Sequence, residues 1–173
     1  MSSPLHTATV GVFLQILPQM ARLIDKAEAH CRENGLPDEA LTLASLTPDM
    51  WPFAKQISYV VLSSAGAMEA LRTGQTGPDL NPPATEFAPL RQAVTDAIAV
   101  LEAVQPEQID AAADRDVVFS FSTNRMEYVA EDFLLSFCLP NFFFHASTAY
   151  AVLRSKGLNI GKRDFLGRVR TKA

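Results

Sequence analysis

Two stretches of the sequence carry polar side chains where a helix core would carry aliphatic ones. In the first, Asn141, His145 and Thr148 follow one another at spacings of four and three residues, so they share one face of a predicted helix. An imidazole in this setting can bind a metal ion, carry a proton or hold a carboxylate. A histidine that is only hydrogen-bonded within the core fits the same pattern, so both interpretations stay open.

The second stretch contains Asp49 and Gln56, which are seven residues apart. On a helix they share a face, at about 10 Å from each other along the axis. We predict that this helix starts at Thr47-Pro48-Asp49, because threonine can cap and proline suits the first helical position. Asp49 is therefore a candidate catalytic acid or a plain helix-start acid. Gln56 is a candidate ligand-binding amide or a core-edge amide bonded to a neighbouring helix.

Several familiar kinds of chemistry are missing from the sequence. It contains no P-loop, no dinucleotide-binding glycine motif, no G-x-S-x-G, no CxxC, no HExxH and no paired Glu-x-x-His. Two cysteines are too few for a disulfide scaffold, which predicts a cytoplasmic protein. Cys138 lies seven residues before His145, too far for a thiolate pair, so we interpret it as a core residue.

The elements that must position these residues are four amphipathic helices, predicted over residues 8–34, 48–73, 85–104 and 125–156. Pro18 and Pro140 predict kinks in the first and last of them. Val117–Ser122 alternates in polarity and predicts a short extended segment. Asn124 and Glu127 have the spacing of a capping box for the last helix. Together these features predict an all-α four-helix bundle forming one domain, 1–173, with a tail over 157–173.

The net charge of −4 is unevenly distributed. Residues 1–153 carry 8 Lys+Arg against 18 Asp+Glu, whereas residues 154–173 carry 7 Lys+Arg and a single acid, Asp164. The basic tail has no accompanying nucleic-acid motif, so we expect it to fold back on the acidic bundle rather than bind nucleic acid. With no run of about 18 uncharged apolar residues, we expect no membrane-spanning helix.

Four motifs carry a resemblance to a known family: Thr-Pro-Asp-Met-x-Pro-Phe-x-x-Gln (47–56), Pro-Asn-Phe-x-Phe-His (140–145), Ala-Tyr-Ala-Val-Leu-Arg-x-x-Gly (149–157) and Ile-Gly-Lys-x-Asp-Phe-Leu-Gly (160–167). Together they resemble the domain-of-unknown-function family numbered nineteen ninety-three. That family belongs to the DinB/YfiT-like four-helix bundles. The resemblance implies this fold, with a short extended segment before the last helix and a basic C-terminal tail that is part of the folded structure. We expect Phe165 to anchor the tail, and Lys162 and Asp164 to form ion pairs.

The resemblance also implies where a site would lie. The superfamily is known for three histidines that hold a divalent metal, and some branches are transferases or hydrolases. His145 corresponds to the last of these histidines, because it precedes Leu-Arg-x-x-Gly at the matching spacing. Asn141 and Gln56 stand at the other two positions. Amide oxygens are weak zinc ligands, so we predict no cofactor and a hydrogen-bonding pocket instead. Its other predicted ligand-binding residues are Trp51, Phe144 and Tyr150.

These observations leave three functions open, and whether the protein is an enzyme is not decided by them. The first is a small-molecule pocket centred on His145, used for binding or for metal-free acid/base chemistry with His145 and Asp49. The second is a metal-dependent transferase or hydrolase, with His145, Asn141 and Gln56 as metal ligands. The third is a structural or interaction module. We expect a homodimer, as in similar bundles.

Overall fold

The computed structural model describes residues 3–172, and these form a mostly helical fold with one small sheet. The elements in chain order are α1 (Pro4–Ala8), α2 (Val10–Glu33), α3 (Glu39–Thr42), α4 (Phe53–Leu62), α5 (Ala65–Thr73), β1 (Gln75–Thr76), α6 (Phe87–Glu102), α7 (Pro106–Ala112), β2 (Asp116–Phe121), β3 (Asn124–Val129), α8 (Ala130–Asp132), a π-helical segment (Phe133–Cys138), α9 (Leu139–Ser155) and α10 (Lys162–Leu166).

The long helices pack around one apolar core. α2 lies along α6, and α4 lies along both α6 and α9. Each long helix turns large side chains inward, and the five fully buried phenylalanines are Phe13, Phe53, Phe87, Phe133 and Phe142. Burying one such ring contributes about 1.5–3 kcal/mol relative to leaving it exposed. The core therefore fixes the two helices, α4 and α9, that carry the polar residues singled out above.

The first helix follows its predicted apolar stripe and runs unbroken through Pro18. Phe13, Leu17 and Met20 are buried on both sides of the proline, and these contacts hold the helix where one backbone hydrogen bond is lost. The segment Pro4–Glu33 is long and apolar enough to cross a membrane by length and composition alone. Half of its most apolar window is buried inside the fold, and the buried apolar residues of α2 belong to the core.

The second predicted helix is wrong at its start and in its middle. Thr47 does not cap a helix, and α4 begins only at Phe53. Pro52 directly precedes α4 in an extended conformation, whereas residues 47–50 form a turn. The helix is then interrupted between Leu62 and Ala65. Ser64 lies at this break and donates its hydroxyl to the carbonyl of Val60, a bond that competes with helical geometry.

The last predicted helix starts too early, and the fold is not all-α. Asn124 and Glu127 form no capping box, because Asn124–Val129 is a strand paired antiparallel with β2. The helix begins at Ala130 instead. β1 adds a third, parallel strand on the other side of β2. The extended segment predicted at 117–122 is confirmed as β2, while α6 lies within the range predicted for the third helix.

The C-terminal tail folds onto the helices, as predicted. α10 lies on α2, where Lys26 Nζ and Asp164 Oδ1 form an ion pair at 2.6 Å. The ring of Phe165 meets Tyr150 edge to face at 6.0 Å. The predictions for Asp164 and Phe165 are thus confirmed. The prediction for Lys162 is wrong within residues 3–172, where this lysine forms no ion pair.

Candidate functional site

A cavity of about 400 Å³ lies between α4, the π-helical segment, the start of α9 and the small sheet. The loop that follows β1 closes one side of it. Most of its wall is apolar or aromatic. The side chains that line it are Trp51, Tyr59, Leu62, Ser63, Thr76, Pro78, Asp79, Leu80, Phe119, Phe121, Phe133, Phe137, Cys138, Asn141 and His145.

The imidazole of His145 is held by a short chain of hydrogen bonds. Gln56 Nε2 donates to the carbonyl oxygen of Trp51 at 2.9 Å, which leaves Gln56 Oε1 as an acceptor. That oxygen lies 2.7 Å from His145 Nδ1, so Nδ1 carries the proton and donates it. The chain therefore fixes the imidazole in one tautomer, with Nε2 unprotonated.

The unprotonated Nε2 of His145 faces the cavity. His145 lines the cavity, and its Nε2 has no hydrogen-bond partner within residues 3–172. In the same part of the chain, no buried side-chain nitrogen or oxygen lacks a partner. Since Nε2 has none, it must be accessible, and the cavity is what it opens onto. The site thus presents a hydrogen-bond acceptor at its inner end.

The electrostatic state of His145 follows from its burial. Only 5% of the residue is exposed, and burial lowers its pKa from 6.5 to about 4, because the charged imidazolium loses its hydration. At neutral pH the ring is therefore uncharged. A base with so low a pKa takes up protons poorly near pH 7, so the arrangement suits hydrogen bonding better than proton transfer.

Asn141 lies one turn before His145 and also lines the cavity. Its Nδ2 donates to the carbonyl oxygen of Phe137 at 2.7 Å, within the region where the π-helical segment passes into α9. Pro140, next to it, has no N–H to offer the preceding turn. π-Helical turns of this kind are frequent at functional sites. Here the irregular turn places Asn141 and Cys138 in the cavity wall.

The loop over the cavity is tied down from α4. Lys55 Nζ, almost completely buried, donates to the carbonyl oxygens of Asp79 and Asn81 and to the Asp79 carboxylate, at 2.6–2.9 Å. Burial alone would raise the pKa of Asp79, but hydrogen bonds from Lys55 and Asn81 lower it overall. The same ammonium lies 5.7 Å from the centre of the Tyr59 ring. The ammonium of Lys55 is therefore already paired with groups of the protein itself.

The small sheet forms the opposite wall. Phe119 and Phe121 on β2 reach the cavity, and Phe119 lies 5.3 Å from Phe137. β1 and the loop after it approach β2 closely at Gly77. A Cβ there would come within 2.9 Å of the Ser120 carbonyl oxygen, so only glycine fits.

The structure brings together some of the predicted site residues and separates others. Asn141 and His145 line the cavity, and Trp51 stacks almost parallel to the His145 ring at 6.0 Å. Gln56 is not among the lining residues, but it is hydrogen-bonded to His145. Phe144 touches the imidazole edge on at 5.1 Å, yet it is 57% exposed and lies outside the cavity lining.

Two predicted residues lie away from the cavity. Asp49 is exposed and accepts a hydrogen bond from Thr47 at 2.6 Å, which lowers the pKa of its carboxyl. Tyr150 donates to the carbonyl oxygen of Ile160 and supports the tail. Neither is placed to contact a ligand beside His145.

Apart from Trp51, sequence reasoning missed the aromatic part of the wall. Tyr59 lies three residues after Gln56, a helical spacing that could have been used to find it. Its ring lies 4.9 Å from that of His145 and 4.5 Å from that of Trp51. Phe119 gave no comparable signal, because its position depends on strand pairing across the sheet.

The residues present do not fit a tight transition-metal centre. Both heteroatoms of the Gln56 amide are used, one by Trp51 and one by His145 Nδ1, so its oxygen does not point where Nε2 points. Of the three predicted metal ligands, this leaves His145 Nε2 and the Asn141 oxygen, and zinc prefers imidazole and thiolate ligands. Residues 3–172 hold no cluster of three His, Cys, Asp or Glu side chains placed for a metal.

The fold and comparisons with known proteins define a DinB-like protein. The chain is similar to a DinB family member protein from Shewanella denitrificans, known from a crystal structure, with a TM-score of 0.80 and 26% sequence identity. The alignment covers 98% of this chain and 95% of that one. The chain belongs to the family described as Domain of unknown function (DUF1993), whose model matches residues 5–166. No curated protein matches it.

Proposed function

We propose that this DinB-like protein binds a small molecule in the cavity beside His145, without a metal ion. The observation that carries the proposal is the 2.7 Å contact between His145 Nδ1 and Gln56 Oε1. It leaves Nε2 as a fixed, unprotonated acceptor in a cavity whose wall is mostly apolar or aromatic. A polar atom presented in this way gives a ligand its orientation, while the apolar wall supplies most of the binding free energy.

The size of the cavity supports a ligand of modest dimensions. About 400 Å³ is within the range of pockets that enclose small molecules. The aromatic wall is held by packing: Phe133 and Phe137 stack at 5.6 Å, and Tyr128 packs against both. A cavity with so rigid a wall loses little conformational entropy when a ligand enters.

Binding suits the site better than acid/base chemistry. Burial holds the pKa of His145 at about 4, far below the pH at which a general base works well. Asp49, the other predicted catalytic residue, is exposed and outside the cavity. The proposal therefore assigns His145 the role of a positioned hydrogen-bond acceptor.

The single tryptophan of the chain gives a direct test. Trp51 lines the cavity and is 46% exposed, so a bound ligand must change its fluorescence. We expect aromatic fragments to shift or quench the emission of the wild type in a saturable way. His145→Ala should weaken binding by roughly tenfold, a loss that matches one buried hydrogen bond and its packing.

His30→Ala is the matched control, because His30 lies on α2, outside the cavity lining. It should bind as the wild type does. Failure of every fragment to change the emission, or equal binding by wild type and His145→Ala, would contradict the proposal. Stoichiometric zinc or nickel in protein purified without a histidine tag would instead support the metal-dependent alternative.

A further inference from the structure

We infer that the cavity selects flat, uncharged molecules that carry a hydrogen-bond donor, such as a phenol or a ring N–H, and rejects carboxylates. This inference rests on the proposed function, since it concerns the ligand of the same cavity. It follows from three features: the aromatic side chains on the lining, the tautomer of His145 and the lack of a lysine or arginine on the lining.

The aromatic lining of the cavity favours a flat ligand. Two pairs of aromatic rings line it: Trp51 and Tyr59, with ring centres 4.5 Å apart, and Phe119 and Phe137, with ring centres 5.3 Å apart. Aromatic rings pack against one another in offset or edge-to-face contacts that add to the free energy of burial. A molecule with one or two fused rings can make such contacts with these aromatic side chains.

The polar groups at the inner end favour a donor. Nε2 of His145 can only accept, because Gln56 holds the proton on Nδ1. The Asn141 oxygen is a second acceptor, because the Asn141 amide donates to Phe137 through Nδ2. A hydroxyl or ring N–H aimed at Nε2 satisfies it. A ligand that offers only acceptors leaves it unsatisfied.

The charges around the cavity disfavour an anion. The lining residues of the described chain include an acid, Asp79, and no lysine or arginine. Lys55 lies behind the loop, and its ammonium is already bound by three oxygens of Asp79 and Asn81. A carboxylate in the cavity would lose its hydration without gaining a counter-charge, which is costly in an apolar site.

Three probes of one ring system separate these contributions: 2-naphthol, 2-fluoronaphthalene and 2-naphthoate, each measured by equilibrium dialysis at pH 7. We expect 2-naphthol to bind the wild type at least roughly tenfold more tightly than 2-naphthoate. In His145→Phe, which keeps an aromatic ring but removes the acceptor, the affinity ratio of 2-naphthol to 2-fluoronaphthalene should fall roughly three- to tenfold.

The outcomes distinguish this inference from the proposed function. If 2-naphthoate binds as tightly as 2-naphthol, or if the ratio is unchanged in His145→Phe, the ligand class is wrong while binding in the cavity stands. If none of the three probes binds the wild type, both proposals fail. The comparison of 2-naphthol with 2-naphthoate needs no variant, so it decides the question even if His145→Phe does not fold.

Discussion

At the scale of single residues, the tautomer of His145 is set by Gln56, a neighbour that does not line the cavity. Gln56 accepts from Nδ1 and is itself oriented by the Trp51 carbonyl. An amide carries no charge, so it fixes the tautomer without the rise in the pKa of the imidazole that a negatively charged carboxylate partner would cause. The imidazole is thereby held neutral and in one orientation, and Gln56 acts as a positioning residue.

The burial of His145 predicts a dependence of stability on pH. In the unfolded chain its pKa is near 6.5, whereas in the folded protein it is about 4. Between these values the unfolded state binds a proton that the folded state does not. The free energy of unfolding therefore falls as the pH is lowered, by roughly 2 kcal/mol between pH 7 and pH 5 from this residue alone.

Urea unfolding at pH 7 and pH 5, for the wild type and for His145→Phe, measures this contribution. The variant cannot take up the proton, so its stability should change less over the same interval. Parallel curves for the two proteins would show that His145 is not the buried, neutral group described above.

At the scale of elements, the loop after β1 is held over the cavity by Lys55. We expect Lys55→Met to lower the free energy of unfolding by about 2–3 kcal/mol, because it leaves the partly buried Asp79 carboxylate without its counter-charge. Ligand affinity should fall as well, since the loop carries Pro78 and Leu80 of the lining.

Two further variants make the Lys55 experiment specific, with chemical denaturation as the readout. Lys156→Met changes an exposed lysine and should cost little. Lys55→Met combined with Asp79→Asn should cost less than the sum of the two single changes, because the unpaired charge is gone. Strict additivity would mean that the two groups do not interact.

The turn of the β2–β3 hairpin contains a residue in a strained conformation. Ser122 has a φ of +54°, in the left-handed region that favours glycine. Ser122→Gly should therefore raise the free energy of unfolding by up to about 1 kcal/mol. Ser120→Gly, at an exposed position within β2, should lower it by about 0.5–1 kcal/mol. Thermal unfolding compares the two, and the same sign for both would refute this account of the turn.

How far the elements could be predicted depends on where their signals lie. The stripe on α2 is local and repeats along the helix, so it could be read from the sequence. The helix-start signals at Thr47 and Asn124 are local too, but neither starts a helix. The helix after Thr47 begins only past Pro52, and Asn124 lies in β3, which pairs with β2. Gln56 and His145 could be proposed from the family motifs. The wall at Phe119 could not, because it depends on contacts between distant strands.

At the scale of the whole molecule, the basic tail is a packed part of the fold. Gln15 Nε2 donates to the carbonyl oxygen of Leu166, and Phe165 packs on Tyr150, so α10 is joined to both α2 and α9. The positively charged segment 154–173 is thus packed against residues 1–153, which are acidic overall. Association of the tail reduces the repulsion that a net charge of −10 on residues 1–153 would cause.

The attachment of the tail should depend on its apolar contact more than on its ion pair. Phe165→Ala should lower the free energy of unfolding by about 1–2 kcal/mol, as fits a half-buried ring, and should speed trypsin cleavage after Arg163 and Arg168. Lys26→Ala removes an exposed ion pair and should cost less than about 1 kcal/mol. A larger effect from Lys26→Ala would reverse this ranking.

The tautomer of His145 tests the central claim most directly. Nitrogen chemical shifts of its imidazole, measured by long-range proton–nitrogen NMR at neutral pH without added ligand, distinguish a protonated from an unprotonated ring nitrogen. We predict a protonated Nδ1 and an unprotonated Nε2, unchanged down to pH 5 because burial holds the pKa at about 4. A protonated Nε2, or an imidazolium at pH 6, would contradict the account of the site.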